Sequence, residues 1–92
     1  MTPYNYLKQD LDKKVQEALL VYEDAHRGLR FTHKNFIYEM HDVVNKSLVL
    51  TCLRKSHGNC SYAADLLGVN RNTLRGFMKR YNINHEDFKD KP

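Results

Sequence analysis

Residues suited to nucleic-acid binding are concentrated in one stretch, residues 58–83, with the sequence GNCSYAADLLGVNRNTLRGFMKRYNI. Between Arg54 and Tyr81 there are six basic residues and one acidic residue, Asp65, whereas residues 1–53 carry seven of each. Arginine and lysine pair with phosphates, and arginine and asparagine side chains hydrogen-bond to base edges. Clustered positive charge of this kind is typical of a phosphate-binding surface. The alternative is a solvated face without a ligand, which is the common role of charged runs.

Two short helices that meet at a glycine are predicted to hold these side chains. The first helix begins after either Asn59 or Ser61, because both residue types cap helix N-termini. It ends at Gly68, because glycine adopts the left-handed conformation of a sharp chain reversal without Cβ strain. Its apolar side consists of Ala63, Ala64, Leu66 and Leu67.

The second short helix is predicted from Arg71 to about Tyr81, with Asn70 as its N-cap. Leu74, Met78 and Tyr81 are spaced i, i+4 and i+7 and form an inward stripe. The residues left facing outward are Arg71, Asn72, Thr73, Arg75, Lys79 and Arg80. A glycine corner followed by a basic helix is typical of a helix-turn-helix, whose second, or recognition, helix enters the DNA major groove.

Two longer helices are predicted upstream. The first runs from about Asp10 to Ala25, because apolar residues recur there every three or four positions. These residues are Leu11, Val15, Leu19 and Tyr22. The second helix runs from Phe36 to about Ser56, contains no glycine or proline, and has either Thr32 or Asn35 as its cap.

The second long helix is apolar on two sides. One side comprises Ile37, Met40, Val44 and Leu48, and the other comprises Phe36, Val43, Leu50 and Leu53. A helix that is apolar on two sides is buried on two sides. The other helices of the chain can cover one side, and a second copy of this helix can cover the other. The pattern therefore favours a homodimer over a central helix wrapped by its own chain, and a two-fold dimer implies a quasi-palindromic DNA site.

The composition indicates one small domain without catalytic or metal-binding motifs. The chain has 92 residues and a net charge of +4 with neutral histidines. It has no apolar run near the roughly 18 residues of a membrane span and no signal-peptide pattern, so we expect a cytoplasmic protein. Cys52 and Cys60 are expected to be reduced, and with His57 they supply fewer ligands than a structural zinc site requires. In the absence of a phosphate loop, nucleophile elbow or carboxylate pair, we expect neither enzymatic activity nor a metal or cofactor.

Residues 58–83 resemble the C-terminal helix-turn-helix of the Fis (factor for inversion stimulation) family. The family pattern approximates GN-x-x-x-A-A-x-x-L-G-I-N-R-x-T-L-R-K-K-L-K-x-Y-G-I. The same motif ends the enhancer-binding activators that use sigma-54, which are far longer chains. Upstream, DKKVQEALLVY resembles the first helix of Fis, so the resemblance extends from about Leu11 to Asn84 and is strongest in its last third.

The resemblance implies an all-α, four-helix subunit of a bacterial nucleoid-associated regulator of transcription. It divides the chain into a short N-terminal arm (1–10), a two-helix dimerisation core (11–57), a helix-turn-helix (58–84) and a flexible tail (85–92). The first two helices would intertwine with those of a second subunit in a homodimer. The dimer-core residues would be Val15, Leu19, Tyr22, Phe36, Ile37, Met40, Val43, Val44 and Leu48. RNA polymerase is a further candidate partner.

The resemblance also implies that the double-stranded DNA is bent. Recognition helices of Fis-like dimers lie closer together than one DNA turn, so the duplex bends and its central minor groove narrows. Because A/T-rich centres compress at lower energetic cost, part of the selectivity is indirect. Arg71 would contact a guanine in each half-site. The implied DNA-binding set is Asn59, Ser61, Tyr62, Asn70, Arg71, Asn72, Thr73, Arg75, Lys79 and Arg80.

The chain departs from the Fis pattern in the recognition helix and at the N-terminus. Gly76 and Phe77 replace a pair that is usually basic, which removes a phosphate contact and lowers helix stability by about 1 kcal/mol. Asn82 replaces the glycine that ends the last helix, which is tolerable because asparagine accepts the left-handed cap conformation. Only about ten residues precede Leu11, too few for the β-hairpin arm with which Fis activates a DNA invertase. We therefore expect DNA bending without stimulation of inversion.

The alternative function belongs to a different class. In it the chain is a protein-interaction module that docks onto a larger regulator through its long apolar helix. Its helix-turn-helix would then be a vestige weakened by Gly76.

Overall fold

The computed structural model describes residues 3–25 and 35–89. The helices are α1 (Leu7–Ala25), α2 (Phe36–Lys55), α3 (Cys60–Leu67) and α4 (Arg71–Arg80), followed by a 3-10 helix, His85–Phe88. No strand occurs among the described residues, which confirms the predicted all-α class. The chain divides into two units, residues 1–39 and 40–92. No helix in the described ranges is long and apolar enough to span a membrane.

The first unit is built on α1, which begins at Leu7 rather than at the predicted Asp10. Hydrogen bonds from the Leu7 and Lys8 amides to the carbonyls of Tyr4 and Asn5, at 3.0 and 3.1 Å, form the turn that precedes the helix. The arm predicted for residues 1–10 is therefore partly helical. The sequence did not indicate this start because residues 7–9 lack a distinctive cap.

An aromatic contact joins α1 to the start of α2 within the first unit. Tyr22 is the one buried residue of α1. Its ring lies 5.2 Å from that of Phe36, centroid to centroid, at an interplanar angle of 59°. Such tilted aromatic pairs contribute about 0.5–1.5 kcal/mol beyond the burial of their area. Of the two predicted caps of α2, Asn35 directly precedes the helix and Thr32 lies outside the described residues.

The core of the second unit lies between the end of α2 and the two short helices. Its buried residues are Val49, Leu53, Ala63, Ala64, Leu74 and Met78. Of these, Val49 belongs to neither apolar side that the sequence predicted for α2. Only the last turns of α2 are covered within this unit, so Val49 and Leu53 face inward while Val43, Val44 and Leu48 remain exposed.

The connection between α2 and α3 is a tight turn that also holds the C-terminal 3-10 helix. His57 and Gly58 both have positive φ, +54° and +82°. The Gly58 amide donates to the Leu53 carbonyl at 2.9 Å. A Cβ at Gly58 would lie only 2.5 Å from the His85 carbonyl oxygen, so glycine is required both for its conformation and for this close packing.

Residues 85–89 were predicted to belong to a flexible tail, and this prediction is wrong for them. His85–Phe88 forms the 3-10 helix, and the Asn84 side chain caps it by accepting the Glu86 amide at 3.0 Å. Phe88 packs against the core of the second unit. A single aromatic anchor has no periodicity, so the sequence pattern did not indicate it. The rest of the predicted tail, residues 90–92, lies outside the described residues.

Candidate nucleic-acid interface

A capped glycine corner joins α3 to α4. The Asn59 side-chain oxygen accepts the Tyr62 amide at 3.1 Å, so Asn59 rather than Ser61 is the N-cap of α3. Gly68 ends that helix with φ +78°. Its amide donates to the Ala64 carbonyl at 2.9 Å, and the Val69 amide donates to the same carbonyl at 3.1 Å. These bonds satisfy carbonyls that a helix end otherwise leaves unpaired, and they fix the direction in which the chain leaves the corner.

The second helix of the motif is anchored by its cap and by two buried side chains. The Asn70 side-chain oxygen accepts the Thr73 amide at 2.8 Å, as predicted for the N-cap of α4. Leu74 and Met78 are buried. Asn82 follows the helix with φ +56°, the left-handed conformation predicted for this departure from glycine.

The opposite side of α4 is exposed and cationic. All six residues predicted to face outward are exposed: Arg71, Asn72, Thr73, Arg75, Lys79 and Arg80. The helix contains no acidic residue. The geometry therefore presents guanidinium, ammonium, amide and hydroxyl donors on one surface of a rigid element.

Arg80 differs from the other basic residues of α4 because it has an intramolecular partner. Its guanidinium lies 2.9 Å from Oδ1 of Asp42, on α2. The Tyr81 hydroxyl donates to the same oxygen at 3.2 Å. The guanidinium also lies 5.9 Å from the centroid of the Tyr81 ring. A phosphate contact by Arg80 would therefore compete with its contact to Asp42.

The two residues that replace a basic pair in α4 have different environments. A Cβ at Gly76 would meet no atom within 4 Å, so this position faces open space. Phe77 instead packs against the core. Its ring is stacked on that of Tyr81, 6.2 Å away between centroids and at 4° between planes. Phe77 is thus an additional core residue that the inward stripe of the sequence prediction did not include.

A cavity of about 510 Å³ opens beside the start of α3 and the exposed side of α4. The polar side chains lining this basic cavity are His57, Asn59, Ser61, Arg71, Arg75, His85 and Lys89. Sequence reasoning identified four of these residues and missed His57, His85 and Lys89 as site residues. His85 and Lys89 were missed because the segment was predicted to be flexible, and only its packing against Gly58 brings them to the site.

Two of the three residues weighed as zinc ligands, His57 and Cys60, line this cavity. Cys52 and Cys60 are free thiols, and both pack against the core. The Cys60 thiol lies 4.0 Å from the Gly58 carbonyl oxygen. Within residues 3–25 and 35–89, no group of three or more His, Cys, Asp or Glu side chains is arranged to hold a metal ion.

The capped corner, the buried face of α4 and its exposed basic face define a helix-turn-helix protein. Residues 42–81 match the model of the family described as bacterial regulatory protein, Fis family. Residues 42–81 therefore carry a helix-turn-helix of the Fis family type, as the sequence motif predicted.

Similar proteins include the DNA-binding transcriptional regulator NtrC from three bacteria. The proteins from Escherichia coli (strain K12), Salmonella typhimurium (strain LT2) and Klebsiella pneumoniae are each 39% identical to this chain over 62 residues. The matched region covers 67% of this chain but only 13% of each NtrC. No solved structure matches the chain.

Proposed function

We propose that this chain is a homodimeric, DNA-bending regulator of transcription that acts by binding double-stranded DNA rather than by catalysis. The observation that carries the proposal is the exposed face of α4, where basic and amide side chains are held on a helix capped by Asn70 and anchored by Leu74 and Met78. The Fis-family match of residues 42–81 and the similarity to NtrC, a DNA-binding transcriptional regulator, support it. The proposed location is the bacterial nucleoid in the cytoplasm, with RNA polymerase as a further partner.

The proposed base contacts come from the first turn of α4. The N-terminal residues of a recognition helix contact base edges in the major groove. Arg71 is the first residue of α4 and is exposed, so its guanidinium can donate both hydrogen bonds to one guanine. The oxygen of Asn70 is occupied by its cap, which leaves the amide nitrogen as its proposed donor. Asn72 and Thr73 are proposed to lie beside base edges or the adjoining phosphates.

The proposed phosphate contacts flank the recognition helix on both sides. Positively charged side chains at these positions would supply most of the salt-dependent affinity. The residues assigned to phosphates are Asn59, Ser61, Tyr62, Arg75, Lys79 and Arg80. Arg80 must exchange Asp42 for a phosphate, and because this ion pair is exposed the exchange has a low energetic cost.

Exposed apolar side chains support the proposed homodimer. On α1, Leu7, Leu11, Val15 and Leu19 recur every fourth residue and are 37–53% exposed. On α2, Ile37, Val43, Val44 and Leu48 are 47–61% exposed. Monomeric proteins rarely leave apolar patches of this kind in water. We propose that a second copy of the chain covers both sets of side chains. The half-buried Phe36 and Met40 and the buried Tyr22 complete the proposed dimer core.

Bending and the preference for A/T-rich centres follow from the proposed dimer. Two recognition helices that are held closer than one DNA turn can dock together only on a bent duplex with a narrowed minor groove. Sequences that deform at low energetic cost are then favoured at positions the protein never touches. Resonance energy transfer between dyes at the ends of a bound duplex measures this bend.

The decisive experiment is fluorescence anisotropy with a quasi-palindromic duplex that has an A/T-rich centre and a guanine in each half-site. We expect saturable binding that weakens with salt. The Arg71→Ala variant is expected to lose specific binding, since a bidentate guanine contact is worth about 1–3 kcal/mol per half-site. Arg71→Lys is the matched control, because it keeps the charge and loses the fork of donors. The proposal fails if wild-type protein binds no better than a generic basic peptide.

A second candidate function is a protein-interaction module that docks onto a larger regulator. Gly76 on the exposed side of α4 favours it, because this residue weakens the helix and carries no DNA contact. This candidate predicts a monomer in sedimentation velocity and DNA affinity that Arg71→Ala does not change. A dimer together with an Arg71-dependent DNA complex excludes it.

A further inference from the structure

The basic cavity beside the recognition helix has a wall that the helix-turn-helix motif does not include. Arg71 and Arg75 of α4 lie on one side, and His85 and Lys89 from the C-terminal segment complete the lining together with the start of α3. Among the described residues, no acidic side chain lines it. We propose that this cavity binds a phosphoryl group and that residues 85–89 are a third phosphate-contacting element. That the phosphoryl group belongs to DNA rests on the DNA-binding function proposed above, whereas the phosphate site itself does not.

Donors for a phosphoryl group surround the cavity. Three lining side chains, Arg71, Arg75 and Lys89, carry full positive charges, and arginine forks match phosphate oxygens in pairs. Cys60 and Ser61, the first two residues of α3, also line it. Their amides precede the first intrahelical bond of α3, which Ala63 donates to the Asn59 carbonyl. The first amides of a helix are suited to anions. These donors come from separate elements, as recognition of a multi-oxygen anion requires.

His85 provides an independent indication of a missing ligand. Its Nδ1 is buried and has no hydrogen-bond partner within the described residues. Buried polar atoms are nearly always hydrogen-bonded, and an unpartnered one calls for a bound water, ion or ligand. A 180° flip of the imidazole ring exchanges the positions of Nδ1 and a ring carbon, and it can turn Nδ1 toward the cavity that His85 lines, where a phosphoryl oxygen would supply the partner.

The C-terminal segment is held firmly enough to act as a wall. Phe88 packs against the core, and the backbone at His85 and Lys89 lies so close to Gly58 that no Cβ fits there. The Lys89 ammonium lies 3.6 Å from Glu86 in an exposed ion pair. Because exposed ion pairs contribute little, a phosphate can replace Glu86 as the partner of Lys89.

The first test uses inorganic phosphate as the probe, with the whole 92-residue chain followed by NMR at constant ionic strength. We expect saturable shifts of the Cys60 and Ser61 amides and of the His85 ring when phosphate replaces chloride. His85→Phe keeps an aromatic ring but removes the ring nitrogens. Lys89→Gln removes the positive charge but keeps the Cγ methylene that lies near Gly58. Each variant is expected to weaken phosphate binding at least threefold. Lys13→Gln, an exposed lysine of α1, is the control and is expected to change nothing.

The second test distinguishes a DNA phosphate from a free phosphorylated compound. If the phosphate belongs to DNA, Lys89→Gln lowers the slope of log affinity against log salt by about one per bound subunit. If phosphate binds but this slope is unchanged, the site takes a free phosphoryl compound and the proposal of a phosphate site still stands. The proposed phosphate site is refuted if Lys89→Gln leaves the salt slope unchanged and phosphate causes no saturable NMR shifts. If the wild-type protein shows the phosphate shifts but does not bind DNA, only the proposed function is refuted.

Discussion

The two regions of this chain differ in how much of their apolar surface they cover for themselves. In the 19 residues of α1, a single side chain, Tyr22, is buried. In α3 and α4, which have 8 and 10 residues, four side chains are buried: Ala63, Ala64, Leu74 and Met78. The helix-turn-helix thus buries its apolar side chains against the end of α2, whereas α1 leaves most of its apolar side chains exposed.

The two regions also differ in the local sequence features that determine their structure. The ends of α3 and α4 are set by Asn59, Gly68 and Asn70, each of which makes a specific backbone hydrogen bond. Caps of this kind contribute about 1 kcal/mol each and act within a few residues of sequence. The stripe on α1 carries only a pattern of hydrophobicity, and a pattern leaves open which surface covers it.

The largest expected effect is on the free energy of unfolding, and it distinguishes a core residue from a residue of the exposed stripe on α1. Leu53 is fully buried, so Leu53→Ala is expected to lower the free energy of unfolding by about 2–5 kcal/mol. Leu11 is exposed in the single chain, and Leu11→Ala is expected to matter only where the chain is dimeric. Urea unfolding followed by circular dichroism, at several protein concentrations, measures both. If both substitutions lowered the free energy of unfolding equally at a concentration where the protein is monomeric, the proposed difference between the core and the stripe would be wrong.

A charge on the stripe tests the proposed partner directly. Leu11→Glu keeps good helix propensity but places an unpaired charge in the proposed interface. We expect the dissociation constant of the dimer to rise by about a hundredfold, corresponding to roughly 2.7 kcal/mol. Sedimentation equilibrium measures this constant. Lys13→Glu is the matched control, and an equal weakening by the two substitutions would assign the effect to general charge rather than to the stripe.

Two glycines of the helix-turn-helix should respond to alanine with opposite signs. Gly76 faces open space in the middle of α4, so Gly76→Ala is expected to raise the free energy of unfolding by about 1 kcal/mol. Gly68 has φ +78°, a conformation that costs other residues about 1–2 kcal/mol, so Gly68→Ala is expected to destabilise the protein. Thermal unfolding by calorimetry distinguishes the two signs. Stabilisation by both substitutions would contradict the requirement for glycine at the corner.

The parts of the structure that could be predicted from the sequence are those with local causes. The glycine corner, the cap at Asn70, the left-handed Asn82 and the exposed basic face all depend on residues within one or two helical turns. The position of residues 85–89 could not be predicted, because it depends on the contact of Phe88 with a distant core and on the space left by Gly58. Val49 was missed because burial on α2 depends on how far the short helices reach along it.

The seating of the C-terminal segment against Gly58 has a practical consequence for handling the protein. Lys89, at the end of the segment 85–89, lines the basic cavity. An affinity tag fused directly after this segment would begin beside the proposed phosphate contacts, where a polyhistidine or acidic peptide could mimic or obstruct a nucleic-acid ligand. A tag at the opposite terminus, or one removed by a protease before assay, keeps purification chemistry separate from binding chemistry.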